Sequence, residues 1–259
     1  MTPRPLPRSL SHFRRVRGLL THARVYPGPP DALPLVLLPG LGCASWMYRR
    51  LARQLAAARP VWVYDHPGMG LSQGRRGYPS RLGTLTDHVA AWMTLRGLEG
   101  VAVLGHSLGG EIAIDLAARY PALPARLILC APTGIPENPS VRGQLARILQ
   151  DAPRERPAFL GLALAAYLRC GLPRLYRLAR DQDLHQTGEL IPQVLCPALA
   201  LVGSRDPVIR APTLDVLRSR LPEGRGTSLR GGTHALMDCC PGEVAREVGW
   251  FLDGTDRLT

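Results

Sequence analysis

A serine that attacks a carbonyl carbon needs a hydroxyl held clear of the backbone, a base, and donors for the resulting oxyanion. One serine of this 259-residue chain sits in a pattern that could meet the first need, Gly105-His106-Ser107-Leu108-Gly109. At a sharp strand-to-helix turn the residues two before and two after the serine come into close contact and must be small. Such a turn also sets the hydroxyl at a helix N-terminus, whose amides favour developing negative charge. With 27 glycines and 10 serines in the chain, chance alone gives about 0.1 such patterns, so the flanks decide. Val101-Ala102-Val103-Leu104 reads as a buried strand, and Ile112, Ala113, Leu116 and Ala117 fall at helical spacing before Pro121.

Asp206 and His234 are the candidates to complete a proton relay. Asp206 lies in Gly203-Ser204-Arg205-Asp206-Pro207-Val208, just after the apolar run Ala198 to Val202. His234 lies in the glycine-rich segment Gly231-Gly232-Thr233-His234-Ala235-Leu236, before a last helix from about Gly242 to Leu252. In open α/β sheets, loops at the carboxyl ends of the strands meet at one edge, where distant residues can converge.

The elements that must position these residues alternate from about residue 22, which predicts a largely parallel sheet covered by helices. Leu35-Val36-Leu37-Leu38, Val61-Trp62-Val63-Tyr64 and Leu127-Ile128-Leu129-Cys130 read as strands buried on both faces. Ser45 is a plausible cap for a helix to about Ala58, and another helix is expected over Thr86 to Gly97. Between 134 and 195 the alternation stops, and three helix-like stretches follow one another. The first, Ser140 to Gln150, gathers Val141, Leu145, Ile148 and Leu149 on one face. The second, Phe159 to Leu168, is apolar on every side, so both its faces are expected to need cover. The sequence therefore divides into a core, 1–133 and 196–259, and a helical cap inserted at 134–195.

Leu38-Pro39-Gly40-Leu41-Gly42, Asp65-His66-Pro67-Gly68-Met69-Gly70-Leu71-Ser72, Gly105 to Gly110, Gly203 to Asp206 and Gly232-Thr233-His234 resemble the signatures of the α/β-hydrolase superfamily. The likeness is to its esterase, lactonase and C–C hydrolase branch, and it spans about residues 33 to 253. Nucleophile, acid and histidine also follow in the order used by that fold. The resemblance implies an α/β fold with a mostly parallel sheet flanked by helices, and the cap inserted after the strand near 127–130. It implies Ser107 as nucleophile, Asp206 and His234 as its partners, and an oxyanion hole from the backbone amides of Leu41 and Leu108. It gives Asp65, the rival acid, a loop-bracing role. One departure is that many members carry His-Gly where this chain has Pro39-Gly40. Relatives that open epoxides or remove halides carry an aspartate at the elbow, so Ser107 argues against both.

Other residues carry blander expectations. His106 packs beneath the elbow; His66 and His88 are structural or exposed; His185 is solvent-exposed in the cap. No two histidines share ligand spacing on a helix, so no catalytic metal is expected, and no cofactor is implied. Glu111, in the first turn after Ser107, is accounted for by the helix dipole. Trp46, Met47, Leu162 and Leu164 are candidate pocket walls.

The net charge of +12 raises a nucleic-acid partner. All 32 basic residues are arginine, however, and they are scattered, which fits a solvated basic surface. Six cysteines fit no disulfide framework or metal pattern. Arg14-Arg15 is followed by a stretch too short and too charged for a signal core, so a basic leader and a cytoplasmic location are expected. No run is long enough for a membrane span. The expected activity is hydrolysis of a small-molecule ester or lactone. C–C bond hydrolysis and acyl transfer use the same three residues, and a basic binding module is the non-enzymatic alternative. Oligomeric state stays open.

Overall fold

The computed structural model describes residues 8–75, 81–135, 138, 140–209 and 211–254. Its strands are β1 (Leu10–Val16), β2 (Leu19–Tyr26), β3 (Leu35–Leu38), β4 (Val61–Tyr64), β5 (Val101–His106), β6 (Pro124–Cys130), β7 (Ala198–Gly203) and β8 (Arg225–Leu229). They form one sheet in the order β1-β2-β4-β3-β5-β6-β7-β8. The pairings of β1 with β2 and of β2 with β4 are antiparallel; all others are parallel. The inner strands are continuous apolar runs because helices cover both faces; every residue of β3, β5 and β7 is buried.

The core helices are α1 (Arg49–Leu55), α2 (Leu82–Leu95) and α3 (Leu108–Arg119), then α8 (Ala211–Arg220), α9 (Leu236–Cys239) and α10 (Pro241–Asp253). Between β6 and β7 the described residues form only helices: α4 (Val141–Asp151), α5 (Pro157–Cys170), α6 (Leu172–Gln182) and α7 (Thr187–Leu190), with two 3₁₀ turns.

Three local expectations are corrected, and one strand had no expectation. The basic leader is a strand: β1 pairs along its whole length with β2, and its exposed Arg14 and Arg15 belong on a charged sheet edge. Ser45 caps no α-helix. It opens a 3₁₀ turn, Ser45–Tyr48, and its hydroxyl donates to Asp65 instead. α2 starts at Leu82 rather than Thr86, because the Leu82 amide finds an acceptor in Asp181. The edge strand β8 carries a single apolar residue in Arg225-Gly226-Thr227-Ser228-Leu229, too few for an alternation to be read.

Candidate active site

Ser107 joins β5 to α3 with φ 54° and ψ −123°, a left-handed conformation that a non-glycine residue holds at a cost of about 1–3 kcal/mol. The glycines around it are required by close backbone approach. A Cβ on Gly105 would run into the Gly109 carbonyl, and one on Gly109 into the Leu38 carbonyl.

The three residues singled out from the sequence are brought together. His234 Nε2 lies 3.1 Å from Ser107 Oγ, and His234 Nδ1 lies 3.0 Å from Asp206 Oδ2. The other Asp206 oxygen accepts from the amides of Val208 at 2.7 Å and Ile209 at 3.0 Å. Burial opposes ionisation of Asp206, but His234 and these two amides outweigh it and hold the carboxyl below its ordinary range. Burial likewise disfavours an imidazolium at His234. Asp206, with Asp151 and Glu155 behind it, overcomes that and raises the imidazole above 6.5.

Gly40 packs against Ser107: a Cβ there would sit 3.1 Å from Ser107 Cβ. Leu41 follows Gly40 and Leu108 follows Ser107, and among the described residues neither amide has an acceptor. The support expected of a histidine at position 39 is supplied differently. The Gly40 amide donates to Tyr48 Oη at 2.8 Å, which leaves the Tyr48 hydroxyl proton for His106 Nδ1, also at 2.8 Å. His106 Nε2–H then donates to the His234 carbonyl at 2.9 Å. Burial, reinforced by the neighbouring His234, pushes His106 down to about 3, so it is neutral, as this pattern of donors requires.

Asp65 is fully buried and lies outside the relay. Its carboxylate accepts from the Ser45 amide at 2.6 Å, the Leu71 amide at 3.0 Å and His22 Nδ1 at 2.6 Å. It thereby ties together the loops that follow β3 and β4, in agreement with a bracing role.

A cleft of about 930 Å³ opens over Ser107 and His234, walled by residues of α4, α5 and α6. Met47 and Leu164 line it; Trp46 and Leu162 do not. Trp46 turns instead to α5, its Nε1–H donating to the Leu162 carbonyl at 3.3 Å, and Leu162 packs on the core. Tyr167, Asp151 and Glu155 were not foreseen in the walls. Nothing in a single sequence marks them, because the segments between β6 and β7 that carry them have no fixed register to the sheet until they pack.

Two further readings change. Glu111 is not an ionised dipole partner. It is fully buried, accepts hydrogen bonds from Thr133, Gln182 and Thr187, and burial pushes its carboxyl up to about 8. His185 is only half-buried rather than fully exposed, bonds Thr187 at 2.9 Å and lines a separate cavity of about 530 Å³. His66 and His88 are buried, one bonded to the Pro39 carbonyl and the other to the Tyr64 hydroxyl. All six cysteines are free thiols.

Comparison with known proteins agrees with this architecture. Residues 29–162, just over half of the chain, match the family model described as serine aminopeptidase, S33. The chain is 33% identical to the 1-acylglycerol-3-phosphate O-acyltransferase ABHD5 of Sus scrofa over 117 residues, 44% of this chain. It spans about a third (34%) of the length of that acyltransferase. It is 28% identical over 236 residues to the putative carbamate hydrolase RutD of Pantoea ananatis, covering 80% of this chain and 83% of that one. Among solved structures, a bacterial membrane phospholipase A superposes with a TM-score of 0.83 at 24% identity, over 95% of this chain and 86% of that one. The enol-lactonase from Burkholderia xenovorans gives 0.81 at 22% identity, over 93% and 100%. With the sheet order, the elbow and the matched residues in agreement, the chain belongs to the S33 serine aminopeptidase-like family of α/β-hydrolases.

Proposed function

We propose that the protein is a serine carboxylesterase that cleaves an ester or lactone with an apolar acyl group through an acyl-enzyme. The hydrogen-bonded line Ser107–His234–Asp206 carries this reading. Ser107 Oγ attacks the carbonyl carbon while His234 Nε2 takes its proton, and Asp206 holds the imidazole in the tautomer this requires. The oxyanion accepts from the Leu41 and Leu108 amides. As the intermediate collapses, the C–O bond breaks and His234 returns the proton to the leaving alkoxide oxygen. Water, deprotonated by the same imidazole, then releases the acid from Ser107. Met47, Leu164 and Tyr167 give the acyl chain an apolar wall, and the helices of the inserted cap act as its lid.

The test is a fluorophosphonate probe together with a panel of esters and lactones. One label per chain is expected. Ser107→Ala should lose both label and turnover with an unchanged circular-dichroism spectrum; undiminished hydrolysis by that variant would remove the basis of the reading.

A second reading, acyl transfer, is favoured by the likeness to the acyltransferase ABHD5. It uses the same acyl-enzyme but delivers the acyl group to an alcohol. Added lysophospholipid that accumulates as its acylated product, at the expense of free acid, would select it.

A further inference from the structure

The cap leaves an apolar face uncovered around the mouth of the cleft. On α5, Phe159, Ala163, Ala166 and Cys170 turn inward and are buried. The opposite stripe, Leu160, Leu164 and Leu168, rises from 37% to 60% to 73% exposed. Leu149 on α4 is 75% exposed, and Leu172 and Tyr176 on α6 are 79% and 64% exposed. Apart from Leu168, one helical turn beyond Leu164, all of these line the cleft that holds Ser107. Soluble surfaces scatter single leucines; a contiguous rim of them around a site marks a surface made to be covered.

The charge on the same helices says by what. Residues 141–183 carry eight arginines against four acids. The acids are engaged: Asp151 pairs with Arg154, Asp181 accepts from the Leu82 amide, Asp183 accepts from the Val141 amide, and Glu155 faces the His234 loop. Arg142 and Arg180 line the cleft beside the leucines and are exposed, with no ion pair or hydrogen bond among the described residues. Apolar side chains interleaved with free guanidinium groups match a bilayer interface, where leucines enter the acyl region and arginines meet anionic headgroups. Together α5 and α6 have the length and composition of a membrane span, but they bend by 92° about Gly171 and so cannot cross as one rod. A bent pair with an apolar outer face can lie along a surface.

We propose that this rim docks on an anionic lipid bilayer, and that the acyl chain of the substrate enters the cleft from the lipid. The second half rests on the reading of Ser107 as nucleophile; the docking does not.

Co-sedimentation of the full chain with vesicles tests it, using phosphatidylcholine alone and phosphatidylcholine mixed with phosphatidylglycerol, at low and high salt. A Ser107→Ala protein run in parallel separates docking from hydrolysis, and both should bind alike. Binding is expected on the anionic vesicles and should weaken with salt. Each arginine near an anionic surface is worth about fivefold, so Arg142→Gln with Arg180→Gln should bind about 25-fold more weakly. Leu168→Glu with Leu172→Glu should abolish binding, with melting temperatures unchanged because both leucines are exposed. Failure to sediment with anionic vesicles, or undiminished binding by both double variants, overturns the proposal. So does a dimer in solution that the leucine variants dissolve while vesicles stay unbound, since a second copy would then be the occupant.

Discussion

His106 donates from Nε2 to the backbone carbonyl of His234 at 2.9 Å, so the residue preceding Ser107 holds the loop that carries the imidazole bonded to it. Through Tyr48, His106 also holds Gly40, next to the Leu41 amide. One neutral, buried ring thus links the Gly40 loop to the His234 loop. Tyr48→Phe keeps the ring but frees the Gly40 amide and orphans His106 Nδ1. We expect kcat to fall about tenfold, well short of the 10²–10³ lost with a direct oxyanion donor, with KM nearly unchanged. A tenfold rise in KM with kcat unchanged would instead show that Tyr48 shapes the cleft rather than the donors.

The two buried aspartates should separate cleanly. Asp206→Asn is expected to lower kcat by about 10⁴, since a carboxamide favours the wrong imidazole tautomer. Asp65→Asn removes acceptors from two loops and should lower the melting temperature, leaving kcat far less affected at temperatures where the protein stays folded. Steady-state rates beside thermal melts decide it; the reverse pattern would exchange the two roles.

The rate should rise with pH as His234 loses its proton, because only the neutral imidazole can act as base. Its pKa is raised by Asp206, Asp151 and Glu155, so the acid limb should lie above 6.5. Asp151→Asn and Glu155→Gln each remove a negative charge that favours the imidazolium and should move the limb toward lower pH. A kcat/KM profile of each variant reads this directly; a limb that stays in place would exclude Asp151 and Glu155 from the field of His234.

Glu111 should make stability depend on pH in the opposite sense to a salt-bridged carboxylate. Its folded-state carboxyl titrates at about 8 against 4.5 for the free group. Across that window the folded chain holds a proton that the unfolded chain has released, so stability is present below 4.5 and falls as pH rises to about 8. Glu111→Gln keeps a neutral hydrogen-bonding group and should flatten the decline. Denaturant midpoints measured across this range check it, and identical slopes in both proteins would rule the carboxyl out.

Chain length should read the apolar wall. At about 0.8 kcal/mol per buried methylene, kcat/KM should rise roughly fourfold with each added acyl carbon, up to the length of the cleft. Leu164→Trp narrows that wall and should shift the optimum to shorter esters, whereas Leu162→Trp should not, because Leu162 faces the core. A flat profile for all three proteins would show that the helices between β6 and β7 do not select the acyl group.

Much of this molecule can be read from its sequence because the chemistry is local. The elbow is written in five consecutive residues, and Asp206 and His234 each follow their own glycine signal. Interactions between the helices that follow β6 and the rest of the chain are not written that way. Glu111 meets Gln182 and Thr187 across 71 and 76 residues, so its helix position suggested a dipole contact where there is a neutral hydrogen-bonded carboxyl. The apolar stretch on α5 was read as needing cover on both sides, yet only one side has it. Tyr48 escaped notice because a 3₁₀ turn, not the expected α-helix, aims its hydroxyl at Gly40.

The dihedral angles of Ser107 have a consequence for any variant made there. At φ 54° a Cβ is a burden that the surrounding strands and helix must overcome, and glycine would carry none of it. Ser107→Gly should therefore melt at a higher temperature than the native chain while losing the hydroxyl bonded to His234. At this residue, selection for a working enzyme and selection for a durable one point in opposite directions, and a gain in heat resistance on mutating it would measure what the native chain forgoes by keeping a serine there.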